Sequence, residues 1–256
     1  MQFRILGPLA AAQGSVPIDL GPHRQRSLLA LLLLHPNRVV PSDRIMEELW
    51  GAAARGKENA LWVHVSRLRS ALEPGRDGQR PPRLLVTRDH GYELQIDPRS
   101  IDAHRFEAAA ASGRALVAAD ADQASAVLAG ALALWRGAAL QDFAYEEFAR
   151  AEAERLECVR LDVVEDRVEA DLRRGLAGEL VGELQGVVRR HPFRERPVRQ
   201  LMLALYRAGR QAEALRAFDR YRHRVAEDLG LEPSPELRRL QERVVRHDLH
   251  PTDLAR

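Results

Sequence analysis

The chain is predicted to be mainly α-helical. An N-terminal winged helix-turn-helix, with a small β-sheet and a hairpin wing, should be followed by an all-α, tetratricopeptide-like domain. Three observations carry this prediction. Residues 61–72, LWVHVSRLRSAL, place Leu61, Val65, Leu68 and Leu72 at i, i+4, i+7 and i+11, the spacing of a helix face pressed on a core. Residues 83–88 and 92–96 are two short strand-like runs around the polar tip Asp89-His90-Gly91, which reads as a β-hairpin. Beyond residue 102 almost every segment has helical periodicity, and two glycines, Gly175 and Gly209, stand 34 residues apart at the heads of matching stretches.

The elements follow in order. Residues 2–9 and 15–20 read as short strands around a turn at AAAQG. PHRQRSLLALLLL (22–34) opens with Pro and becomes strongly apolar, a buried helix with a basic first turn. HPNRVVP (35–41) breaks it. Ser42 is a suitable N-cap for a helix from Asp43 to Trp50, whose Ile45, Met46 and Leu49 share a face. A Gly/Ala loop at 51–56 leads to the helix over 61–72, then a Gly/Pro/Arg-rich break at 73–82 leads to the hairpin. Asp97-Pro98 closes this first domain, taken as 1–98, and Asp102 can cap the first helix of a second, taken as 102–250. Helices are expected at about 103–118, 122–135, 146–174, 177–190, 196–208, 210–229 and 235–247. The last has Ser234 as N-cap and Pro235 at its first position.

The repeat is specific in its residues. At an offset of 34, Ala170 meets Ala204, Leu172 meets Tyr206, Glu179 meets Glu213, Leu180 meets Ala214 and Leu184 meets Phe218. That period and that order of small and large residues are those of tetratricopeptide units, which bury their faces by stacking. Pro192 falls where such units place a closing proline, and an Ala-rich helix pair around 103–135 is a candidate third unit.

Composition removes several classes of function. One cysteine, Cys158, leaves no internal disulfide and no zinc finger. The longest apolar run, Leu28–Leu34, is far too short to span a bilayer, and no signal-peptide pattern opens the chain, so a cytoplasmic protein is expected. GAAARGK (51–57) fits the outline of a phosphate loop, but Glu58 stands where a magnesium-holding Ser or Thr is required. His247 and His250, near Asp248 and Asp253, are better read as terminal residues than as a metal site. The acids of 152–171 alternate with Arg along one helix and read as a solvated, i,i+4-paired face. Trp135 reads as core. No catalytic constellation stands out, and neither enzyme activity nor a cofactor is expected.

Charge is unevenly placed. Residues 1–100 carry 14 Lys+Arg against 10 Asp+Glu, while the whole chain of 256 residues has a net charge of only +2. The outward side of the 61–72 helix has cations and hydrogen-bonding groups and no carboxylate between Glu58 and Glu73. Such a face suits the DNA major groove, where phosphates take Arg and base edges take bidentate or short polar groups; an ordinary solvated face is the other reading. A hairpin directly after the helix favours the first.

In VHVSRLRSAL (63–72) and TRDHGYEL (87–94) the first domain resembles OmpR-type winged helices. ALALWRGAAL (131–140), residues 191–222 and residues 227–248 resemble the bacterial transcriptional activation domain. Together they are similar, end to end, to the short type of the Streptomyces antibiotic regulatory proteins. The resemblance implies an activator of a secondary-metabolite gene cluster that binds direct repeats near the −35 element of double-stranded DNA as a head-to-tail pair or homodimer. It also implies recruitment of RNA polymerase, including the C-terminal region of the sigma factor. By that similarity Val63, His64 and Arg67 would face base edges, and Ser66 and Arg69 phosphates. Thr87, Arg88, Gly91 and Tyr92 would form the wing. The loop Gly51, Ala52, Ala53, Ala54, Arg55, Gly56 would be the transactivation loop. Asp89 and Glu93 depart from the pattern by placing acid in the wing. The alternatives are a ligand-responsive repressor, with the helical half as sensor, and a tetratricopeptide-type adaptor whose winged helix binds protein only.

Overall fold

A computed structural model describes residues 1–75 and 81–248. The chain forms two compact units: Met1–Ala109 with Ala131–Arg160, and Ala110–Gly130 with the chain from Leu161 onward.

The first unit opens with an antiparallel sheet of β1 (Gln2–Arg4), β2 (Ala10–Gln13) and β3 (Val16–Ile18), with β2 central. Phe3 faces Ala11, and Ala11 faces Ile18. The chain continues through α1 (His23–Leu33), β4 (Val39–Pro41), α2 (Ser42–Trp50), α3 (Glu58–Leu72), β5 (Leu85–Arg88) and β6 (Gly91–Leu94). The second sheet has the order β4-β6-β5, both pairs antiparallel. α1 is the centre of this unit because its run Leu28–Leu33 is buried on all sides; α2 and α3 pack against it. The chain beyond the wing is tied back to the first sheet. The buried Asp102, at the start of α4 (Asp102–Leu116), accepts N–H bonds from Ile5 (2.7 Å) and Leu6 (3.2 Å). Burial pushes that carboxyl above the usual range, opposed by the two N–H donors. Arg136 and Leu140 donate backbone N–H bonds to Leu6 and Ile5, both at 2.8 Å. Trp135 is core, as its sequence context suggests: Phe106 meets it edge-on at 5.3 Å, and the Arg160 guanidinium lies 4.5 Å from its ring centre.

Three local features differ from the sequence reading. The stretch expected to turn, AAAQG, is mostly strand β2, and the turn is made at Gly14, whose φ of +61° suits a residue without Cβ. The stretch 35–41 is not only a break, since its last three residues form β4, the third strand of the wing sheet. Ser42 does not cap α2. Pro41 occupies the cap, and the Ser42 N–H is drawn instead to the His90 carbonyl at 2.9 Å. The backbone N–H of Ser42 thus extends the β4–β6 pairing, and the helix starts one residue earlier than a Ser42 cap would place it.

The second unit contains the C-terminal part of α4, most of α5 (Ala121–Leu132) and the later part of α6 (Glu147–Arg173). It continues through α7 (Ala177–Arg190), α8 (Glu195–Arg207), α9 (Gln211–Leu229) and α10 (Pro235–Val245). The 34-residue offset holds in three dimensions. Gly175 and Gly209 both have positive φ, +86° and +73°. Leu176 and Arg210, each one residue on, donate to Asp171 and Leu205, five residues back (3.1 and 2.8 Å). Leu172, Leu180 and Leu184, with Ala204, Ala214 and Phe218, are buried in one core, and Tyr206 packs against it; Ala170 is buried as well. Ser234 caps α10 as expected, accepting the Leu237 N–H at 3.1 Å; its own N–H and hydroxyl both reach the Glu195 carboxylate.

The reading of a solvated face holds for the early acids of α6, with Glu154 exposed and Glu152 and Glu157 paired to Arg155 and Arg160 at i,i+3, but not for the later ones. Glu165, Asp166, Glu169 and Asp171 are buried. Arg194 pairs with Glu165 (3.0 Å), Arg196 and Arg114 with Asp166 (2.7 and 2.6 Å), and Arg199 with Glu169 (2.9 Å). Asp171 takes Arg174 (2.8 Å) and the Ser125 hydroxyl (2.6 Å). Arg167 also pairs with Asp171 at i,i+4 (2.6 Å), as spacing within the helix suggests, whereas Arg114, Arg194, Arg196 and Arg199 reach across from other segments, which that spacing cannot display.

Two substitutions test this packing. A Cβ at Gly91 would lie 2.1 Å from the Val40 carbonyl oxygen, so Gly91→Ala is expected to destabilise the protein by about 2 kcal/mol or more through overpacking against backbone. Removing one partner of a fully enclosed ion pair costs about 3–5 kcal/mol, and because Arg114 and Arg196 reach solvent, Asp166→Ala is expected to cost about 2 kcal/mol. Urea unfolding of each variant measures both; midpoints equal to the parent's would refute these contacts.

Candidate nucleic-acid interface

α3 is aimed by its apolar stripe. Leu61, Val65, Leu68 and Leu72 are all buried, so the opposite side of the helix must face away from the core. At about 100° per residue, that opposite side carries Asn59, Val63, Ser66, Arg67 and Ser70. Arg67 is exposed and makes no hydrogen bond or ion pair among the described residues. Val63 is exposed, and Ser66 is half-buried with its carbonyl accepting the Ser70 hydroxyl at 3.2 Å. Beside them Trp62 is 62% exposed, unusually open for its size. The helix thus presents a guanidinium, hydroxyls, an amide and apolar surface together, the mixture that base edges and thymine methyls accept.

His64 sits on the flank, not on the outward stripe. Its ring lies 6.0 Å from that of Trp50 at the end of α2, and its Nδ1 is buried without a hydrogen-bond partner. Burial, then the nearby Arg67 and Arg24, hold the imidazole below its ordinary pKa. Expected at a base edge, the half-buried ring lies beside Trp50, where the 51–56 loop begins. That loop begins with a short 3₁₀ turn, Gly51–Ala53, and has positive φ at Gly51 (+54°) and Gly56 (+73°). All its residues except Ala54 are exposed. A helix, α2, precedes it where a phosphate loop needs a strand.

Arg69 also departs from expectation. Its Nε donates to the Leu85 carbonyl (2.8 Å), one terminal nitrogen donates to Thr87 Oγ1 (2.7 Å), and its guanidinium stands 5.9 Å from the Tyr92 ring centre. Expected at a phosphate, it ties α3 to both strands of the wing in this structure. Glu73 adds a second tie, accepting the N–H groups of Arg83 (2.9 Å) and Leu84 (3.2 Å). Gly91 is buried beneath Val40 and Pro41, so it shapes the wing and offers no contact surface. Arg88 pairs with Glu93 at 2.6 Å, and that bond holds the Glu93 carboxyl below its usual range. The acid in the wing is therefore neutralised locally at Glu93, while Asp89 remains exposed at the tip. Asn59, Trp62 and Ser70 were missing from the expected site. Helical angle alone places Asn59 and Ser70 on the outward stripe.

Among the described residues there is no group of three or more His, Cys, Asp or Glu able to hold a metal ion, and no helix is long and apolar enough to cross a membrane. His250 and Asp253 lie outside the described residues. Cys158 is exposed on α6.

Comparison with known proteins agrees with this geometry. Residues 14–94 match the family described as transcriptional regulatory protein, C terminal, and residues 101–245 match the bacterial transcriptional activator domain. The regulatory protein DnrI of Streptomyces peucetius is 37% identical over 253 residues, covering 97% of this chain and 93% of DnrI. The transcriptional regulator RedD of Streptomyces coelicolor is 34% identical over 249 residues, covering 97% of this chain and 71% of RedD. The solved structure of Mycobacterium tuberculosis EmbR, in complex with a low-affinity phosphopeptide, superposes with a TM-score of 0.90 at 33% identity, over 99% of this chain and 68% of EmbR. With an outward-facing cationic helix beside a hairpin wing, and both halves matching regulators along nearly their whole length, the chain belongs to the Streptomyces antibiotic regulatory protein family of transcriptional regulators.

Proposed function

We propose that this regulator activates a secondary-metabolite gene cluster by binding direct repeats beside the −35 element and recruiting RNA polymerase there. The observation that carries the proposal is the uncommitted outward stripe of α3, with Arg67 at its centre. Val63 and Arg67 read base edges, with Asn59 and Ser70 within the same stripe. Ser66, Thr87, Arg88 and Tyr92 border the phosphate backbone, and Gly91 keeps the wing close to β4. Residues 1–98 serve as the DNA-binding domain and 102–250 as the activation domain. Direct repeats call for two copies in the same orientation, so the bound form is a head-to-tail pair. The exposed loop 51–56 meets the polymerase at the C-terminal region of its sigma factor, a role its small, open residues and two glycines allow.

Footprinting of the purified protein on promoters neighbouring its own gene tests the reading directly. Protection of two similarly oriented repeats near a −35 element is expected; protection of an inverted repeat, or of nothing, would contradict it. On such a site, Arg67→Ala is expected to cost about 1–3 kcal/mol and relax preference at one base pair. Arg69→Ala should weaken all duplexes alike by loosening the wing, and leave the salt slope unchanged, whereas losing a direct phosphate contact lowers that slope by about one unit. A slope lowered by that amount would put Arg69 on a phosphate after all. Replacing 52–55 with Gly-Ser-Gly-Ser should leave the footprint intact while abolishing activated transcription in a purified polymerase assay; undiminished transcription would exclude the loop from polymerase contact.

A further inference from the structure

The second unit carries a surface that neither DNA contact nor the 51–56 loop uses. A groove of about 680 Å³ runs between α7, the turn after it and α9. Its apolar lining comes from Val188, Pro192, Leu201, Ala217 and Tyr221. Arg189 on α7 and Arg216, Arg220 and Arg224 on α9 line it as well. The three on α9 are spaced i, i+4, i+8, an arrangement of like charges that destabilises an isolated helix. Arg114, Arg194, Arg196 and Arg199, around the later part of α6, are held by carboxylates. The four groove arginines make no ion pair among the described residues. Glu213 feels Arg216 and Arg220, but both its oxygens are taken by Arg210, at 2.7 and 2.8 Å. Asp219, on the lining, is turned to Arg222 at 3.5 Å.

Two exposed apolar residues are sequence neighbours of the lining. Phe193, next to Pro192, is 48% exposed; Leu229, next to the lining residue Asp228, is 49% exposed. A surface that joins unpaired guanidinium groups to apolar side chains is built for a protein segment, since Arg and aromatic residues are enriched where proteins meet. Duplex DNA fits it less well, because the recess offers apolar surface that a phosphate backbone does not use; Glu227 and Asp228 also line it, so an occupant's carboxylates must be directed to the arginines.

We infer that the α7–α9 groove is a docking site for an acidic amphipathic segment of a partner protein, its carboxylates paired with Arg189, Arg216, Arg220 and Arg224 and its apolar side chains laid over Val188, Leu201 and Tyr221. This site is separate from the DNA face on α3 and does not depend on it. Fluorescence anisotropy with the full chain tests it, using a labelled amphipathic peptide with Glu on one face and Leu on the other. Salt-sensitive binding is expected, weakened about tenfold by Arg216→Glu with Arg220→Glu, as when an interface charge is set against its partner. The matching Arg→Lys pair should restore most of it. Arg67→Glu, on the DNA face, should leave it unchanged. Val188→Ala, on the apolar lining, should weaken binding severalfold without altering charge and guards against a fold defect in the charge-reversed variant, which circular dichroism checks. Equal binding of a Lys/Leu peptide, or undiminished binding to the double variant, would overturn the proposal. So would loss of random-duplex binding, and not of peptide binding, in that variant, because the groove would then belong to DNA.

Discussion

The first unit depends on one constraint, the burial of Leu61, Val65, Leu68 and Leu72 against α1 and α2. Each such side chain contributes about 1.5–3 kcal/mol when removed from water, and the four together fix the rotation of α3 about its own axis. Rotation decides everything that follows. With those four inward, Val63, Ser66 and Arg67 can only point out, and Arg69 and His64 fall on opposite flanks.

The two arginines show how position on a helix divides labour between identical side chains. Arg67 has a carboxylate-free outward setting. Arg69, two residues on, lies over the wing and is taken up by Leu85, Thr87 and Tyr92. Such a tie makes helix and wing one rigid reader, which matters because a wing that moved independently would have to be ordered again on each DNA encounter. His64 makes the opposite connection, toward Trp50 and the 51–56 loop. α3 is therefore in contact on one side with the wing hairpin and on the other, through His64, with Trp50 at the end of α2.

Much of this was legible in the residues. The stripe of α3, the hairpin after it, the 34-residue offset and the Ser234 cap depend on local spacing, and local spacing is what a sequence displays. The differences share one cause. β4 consists of three residues with no periodicity to speak of, and only pairing with β6 makes them a strand. Ser42 has the chemistry of a cap, but its N–H pairs with the His90 carbonyl, distant in sequence, and the helix starts one residue earlier. Arg69 and Thr87 read in the sequence as two separate outward-facing groups, and only the fold shows that they bond each other. The later acids of α6 look solvated because Arg194, Arg196 and Arg199 that bury them come from a different segment. In every case a polar group with an obvious local or external use was claimed by a partner far along the chain.

The central claim is that the outward stripe of α3 enters the major groove. Methylation interference measures this most directly, because methyl groups placed on guanine N7 protrude into the major groove alone. Premethylated duplex bearing the footprinted repeats should be bound poorly wherever the modified guanine lies within a repeat, and this sensitivity should weaken at one position in Arg67→Ala. Binding indifferent to N7 methylation throughout both repeats would contradict it and place α3 away from the bases.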